Sequence, residues 1–169
     1  MPDRARAQTM DHPAARLASV RLDGEALTRL SPELEADRAQ AVADLLAENR
    51  FQPVRAGESP GPYGLRLAIV EGRLAFDISA ADGAALPGVV LALGPFRRLV
   101  KDYQLLVDSH IHAVHEGQHA RIQAIDMGRR GLHNEGAELM VDRLAGKIAI
   151  DFATARRLFT LVCVLHQRI

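Results

Sequence analysis

The hydrophobic rhythm of this chain changes once, at Pro95, and that change limits the folds open to it. Before Pro95 apolar residues tend to alternate with polar ones, as a half-buried strand requires. After Pro95 they recur at every third or fourth position, as one face of a helix requires. Strands in one half followed by helices in the other point to α+β.

The first half reads as strands around one helix. Leu17 to Leu22 suits a first strand, and Phe51 to Arg55 a short one. Ser31-Pro32-Glu33 opens a helix: Ser31 can cap, Pro32 suits the first helical position, and Glu33 and Glu35 complement the dipole. Leu34, Ala41, Val42, Leu45 and Leu46 form its apolar stripe, and Asn49 can end it. Tyr63 to Val70 and Arg73 to Ser79 flank Glu71-Gly72, a two-residue hairpin turn. Val89 to Leu93 is the last strand. The expected first half is an antiparallel meander with one inserted helix.

In the second half Phe96, Leu99, Val100, Tyr103, Leu106, Val107, His110 and Val114 share one helix face, and Gly117 ends that helix. Gln118 to Met127 and Leu132 to Ala145 read as one helix interrupted near Gly128 and Gly131, or as two. Asp151 caps a final helix from Phe152 to His166, apolar around most of its girth. Such a helix is either central to the core or lies at a subunit interface. The expected fold is a small antiparallel sheet with one inserted helix in the N-terminal half, packed against a C-terminal helical layer.

A length of 169 residues, with 48% hydrophobic and 25% charged, suits one domain with a sizeable core. Residues 1–14 hold Pro2, Pro13 and alternating charges without periodicity, so a mobile arm is expected there and a single α+β domain over 15–169. The formal net charge is zero, which disfavours nucleic acid and anionic lipid as partners. The charge is unevenly placed: residues 1–94 carry ten basic and thirteen acidic groups, residues 95–169 eleven and eight. An anionic partner would therefore meet the C-terminal half. One cysteine, Cys163, allows no internal disulfide and suits a reducing compartment. The N-terminus has no apolar run to serve as a secretory signal, and no window is long and apolar enough to span a bilayer. A cytoplasmic protein with no membrane partner is expected.

Chemistry-bearing groups concentrate between Asp126 and Gly136. Asp126, Arg129, Arg130, His133, Asn134 and Glu135, with Arg156 and Arg157 further on, are the candidate ligand-binding residues. Paired arginines can fork onto a phosphate or a carboxylate. The same groups could equally satisfy one another as a scaffold, with Asp126 and Arg130 an i, i+4 pair. No catalytic residue emerges, because His133, Asn134 and Glu135 are neighbours that point in different directions on a helix. The glycines fit neither a dinucleotide fingerprint nor a phosphate loop. Asp108, His112, His115 and His119 lie along one helical stripe, but with no closing ligand from a second element they read as a solvated face, and no metal or other cofactor is expected. His110 reads as a core or interface histidine, and Cys163 as a small buried hydrophobe.

Several longer segments carry a resemblance: Gly61-Pro62-Tyr63, Pro95 through Tyr103, Ile125 through Gly136, Gly146-Lys147-Ile148 and Thr154 through Leu161. On these the chain resembles the alphaproteobacterial uncharacterised protein family zero-two-six-two, over nearly everything after residue 15. The resemblance implies no activity, cofactor or substrate, and it implies that the paired arginines are family features. Two functional classes stay open. One is a non-enzymatic interaction or regulatory protein that self-associates through its C-terminal helix. The other is a small-molecule enzyme or a phosphate- or carboxylate-binding protein using the arginine cluster. A concave pocket holding several of those side chains would favour the second; a buried and fully paired cluster would favour the first.

Overall fold

The computed structural model describes residues 12–166; of the arm expected over 1–14, residues 1–11 lie outside the described residues. The chain folds as β1 (Leu17–Asp23), α1 (Pro32–Ala47), β2 (Phe51–Pro53), β3 (Tyr63–Val70), β4 (Arg73–Ser79), β5 (Val89–Ala92), α2 (Arg97–His115), α3 (His119–Leu144), β6 (Ile148–Ile150) and α4 (Phe152–Leu165). This is the expected α+β fold.

Four strands form one sheet in the order β1-β3-β4-β5. Glu71 and Gly72 both take positive φ, 51° and 72°, which gives the tight turn joining β3 to β4. The register sets Leu65 against Ile78 and Leu67 against Phe76, and all four are buried. Arg66 and Asp77, also partners in the register, point to the opposite, open face. One edge departs from the meander: β1 runs parallel to β3. Parallel neighbours need a crossover, and the inserted helix α1 supplies it between them. Phe51–Pro53 is a strand, but it pairs with β6 in a separate two-stranded sheet. Three-residue β6 is too short to leave a period in the sequence.

Asn49 ends α1 in an unexpected way. It is buried, its Nδ2 donates to the carbonyls of Leu45 (2.7 Å) and Leu17 (3.1 Å), and its Oδ1 accepts from the Leu17 N–H at 2.7 Å. One side chain thus closes the helix end and stands in for a strand partner at the start of β1.

In the helical layer α4 is central. Ala155, Leu158, Phe159, Leu161, Val162, Cys163 and Val164 are fully buried against α1, α3, α2 and β1. This chain's own elements cover the apolar girth of α4, so a place in the core accounts for it. Helix α3 runs unbroken through Gly128 and Gly131. Packing outweighs the helix cost of glycine, roughly 1 kcal/mol each. The critical glycine is Gly136: a Cβ there would lie 2.4 Å from the Phe159 ring, so α3 and α4 approach this closely only without a side chain. Helix α2 buries Leu99, Val100, Tyr103 and Val107, as its stripe requires, but Val114 is exposed and Ala113 is buried in its place. His110 is half-buried, its Nδ1 3.5 Å from Glu33 of α1.

Candidate functional site

Helices α2 and α3 each bring a side chain to Asp37 of α1. It follows Leu34 by three residues and precedes Ala41 by four, which places an acid on the buried side of α1. Tyr103, wholly buried on α2, donates its hydroxyl to Asp37 Oδ2. Arg129 of α3 donates Nη2 to the same oxygen at 2.6 Å, and its guanidinium lies 5.8 Å from the Tyr103 ring centre. Burial first, then the Asp37 carboxylate, pushes the Tyr103 phenol up, so it stays a donor.

His133, one turn after Arg129, is held between Tyr103 (5.8 Å between ring centres) and Phe159 (6.4 Å, edge-on). Burial pushes its pKa down to about 4, and the Arg129 and Arg156 charges act in the same direction. The ring is therefore neutral at neutral pH. The Thr160 hydroxyl donates to the Arg156 carbonyl at 3.2 Å and meets His133 Nε2 at 3.4 Å.

Beside this cluster opens a cleft of about 230 Å³. Helix α1 contributes Asp37, Gln40, Ala41 and Asp44 to its lining. Helix α4 contributes Ala153, Arg156, Arg157 and Thr160, and α3 contributes Arg129 and His133. On α1 and α4 alike the spacing is i, i+3, i+4, i+7, so each helix lends one continuous face. Three guanidiniums meet two carboxylates, and with His133 neutral the lining has one positive charge in surplus. Asp37 takes Arg129 as its ion-pair partner. Among the described residues Arg156 and Arg157 have no acidic partner, and Arg156 Nε is buried without a hydrogen-bond acceptor. The arrangement is suited to holding an anion.

The family model for uncharacterised protein family UPF0262 matches residues 14–168. The chain belongs to this family. A UPF0262 protein of Granulibacter bethesdensis is 66% identical over 168 residues, covering 96% of each chain. A UPF0262 protein of Mesorhizobium japonicum is 51% identical over 158 residues, covering 94% of this chain and 97% of the relative. One of Brucella canis is 50% identical over 160 residues, covering 95% and 99%. No solved structure matches this UPF0262 chain.

Of the eight residues singled out from the UPF0262 sequence, the cleft gathers four: Arg129, His133, Arg156 and Arg157. Asp126, Arg130 and Asn134 are exposed on α3 outside the lining, and Asp126 and Arg130 form no ion pair. Glu135 is committed elsewhere, to Arg98 of α2, which also reaches Asp102 at 3.3 Å. Asp37, Tyr103, Gln40, Asp44 and Thr160 were not foreseen. For Asp37 the signal was an acid on an otherwise apolar stripe. For Tyr103 it was a phenol in the middle of one, since a buried Tyr hydroxyl usually finds a partner. His112, His115 and His119 are exposed, and among the described residues no three His, Cys, Asp or Glu converge on a common point. Cys163 is fully buried, and burial pushes its thiol well up. No helix among the described residues is long and apolar enough to cross a membrane.

Proposed function

We propose that this UPF0262 protein binds a small anionic metabolite, a phosphate or carboxylate, in the cleft between α1 and α4. The observation that carries the reading is Arg156 and Arg157: two half-buried guanidiniums line a concave site, neither has an acidic partner, and one Nε is orphaned. An orphaned buried donor costs stability, roughly 1–3 kcal/mol, unless something supplies an acceptor. An anion would supply it, and would cancel the surplus charge. Of the two classes left open by the sequence, a cleft containing several of the candidate side chains supports ligand binding.

The reading is one of binding without covalent chemistry. Cys163 is sealed in the core with a raised thiol pKa, the Thr160 hydroxyl is committed to a backbone carbonyl, and Tyr103 holds its proton. The test is a calorimetric titration of the purified chain with inorganic phosphate and with succinate. Saturable binding of either, lost in Arg156→Gln, is the expected result. Heats of dilution alone for both, at concentrations up to tens of millimolar, would refute the reading.

A further inference from the structure

Opposite charges in the cleft are kept apart. Asp44 is half-buried on α1 and points into the same space as Arg156 and Arg157, yet it forms no ion pair with either. Among the described residues its carboxylate accepts one hydrogen bond, from Gln40 Nε2 to Oδ1 at 2.8 Å. That bond, one turn back along α1, fixes the carboxylate orientation and leaves Oδ2 open. A protein that needed these charges only for packing would let them meet, because each unpaired partly buried charge loses hydration without compensation. Asp37 and Arg129 do meet, in the same cleft. The separation of Asp44 from the α4 arginines therefore suits a ligand that reaches both.

We infer that the cleft takes a small acid that also carries an amine, with its phosphate or carboxylate on Arg156 and Arg157 and its ammonium on Asp44. This rests on the anion-binding reading and names the ligand class for the same site. Size supports it: about 230 Å³ lies below the roughly 300–1,000 Å³ of drug-sized ligand pockets. So does the rest of the lining. Ala41 and Ala153 are small and apolar, which suits a short alkyl link between the two ends. The one ring in the lining, His133, is already packed between Tyr103 and Phe159, so no aromatic face is left to stack a nucleobase. Charge fits as well. An aminoalkyl phosphate carries about one net negative charge near neutral pH, from two on the phosphate and one opposite on the amine. That cancels the single positive surplus of the cleft.

Matched probes that differ only by the amine test this: phosphoethanolamine against ethyl phosphate, and γ-aminobutyrate against butyrate, each titrated into wild type, Asp44→Asn and Arg156→Gln. The amine-bearing member of at least one pair should bind about tenfold more tightly to wild type, about 1.4 kcal/mol. Asp44→Asn should erase that preference by weakening the amine-bearing member, while the amine-free acid, relieved of a nearby like charge, should bind no more weakly than to wild type. Arg156→Gln should weaken both members of the pair. Circular dichroism and melting curves confirm that each variant is folded. Equal or tighter binding of the amine-free acids, or a preference that survives in Asp44→Asn, would overturn the inference and leave anion binding standing. No binding of any probe would overturn both.

Discussion

Arg66 on the open face of the sheet and Asp37 at the cleft are both hubs of charge, and they are built in opposite ways. Arg66 reaches Asp77 at 2.7 Å through one nitrogen and Asp23 at 2.5 Å through another, all three in solvent. That network is closed: its one cation has two anions and is saturated. Asp37 likewise has two partners, Arg129 and Tyr103, but it lies a quarter exposed, and the arginines beyond it go unpaired. A closed, exposed network lies across neighbouring strands and has no use for a ligand. An open, half-buried one has surplus charge and desolvated donors, the two properties an anion site needs.

The contrast is sharpest in mutation. Asp37→Ala should be the most damaging of these changes, by roughly 3–4 kcal/mol, because it leaves the Arg129 charge and the Tyr103 hydroxyl without an acceptor in a largely buried setting. Chemical denaturation measures it. A loss no larger than that of an ordinary surface change would place Asp37 in the same category as Arg66.

Acidification comes next. Above pH 6.5 His133 is neutral in the folded and the unfolded chain alike. Below it the unfolded imidazole takes up a proton that the folded one refuses until about 4, so stability is lost as pH falls through that window. The loss attributable to this residue should be roughly 3 kcal/mol. In His133→Asn the profile between those pH values should be correspondingly flatter. An unchanged profile would mean that the ring is solvated and that Arg129 and Arg156 do not bear on it.

Tyr103→Phe should cost less, about 1–2 kcal/mol, since Asp37 keeps Arg129 and loses one of two donors. Arg66→Ala should leave the melting temperature within experimental error, and any effect should fade further as salt is added. A large, salt-independent drop for Arg66→Ala would erase the distinction between the two hubs.

How far the sequence foretold this depends on the kind of signal. Periodicity carried the strands, the hairpin turn, the capped helices and the buried last helix, because those follow from which residues face inward. It could not carry the parallel pairing of β1 with β3, which the crossover through α1 decides. Nor could it carry β6, whose three residues are fewer than a pattern needs. For the site, local concentration drew attention to α3 and to Arg156 and Arg157. Half of that attention fell on groups such as Asp126 and Arg130, which share the segment but face solvent. They stand at i, i+3, i+4, i+7 with Arg129 and His133 and so share one helical stripe; which members of that stripe are covered is decided by the packing of the other helices, which the sequence does not display. The α1 wall stayed hidden because Asp37 stands 92 residues before Arg129, and Asp44 is only a little nearer. Only the packing of α1 on α4 makes them neighbours.

The most direct test compares the two hubs under one ligand. Melting curves of wild type, Arg156→Gln and Arg66→Gln are recorded against rising inorganic phosphate at fixed ionic strength. A ligand that binds only the folded state raises stability by about 2.7 kcal/mol at a hundred times its Kd. The account predicts a rising melting temperature in wild type, the same rise in Arg66→Gln, and a flat line in Arg156→Gln. A rise that persists in Arg156→Gln, or that disappears in Arg66→Gln, would contradict it.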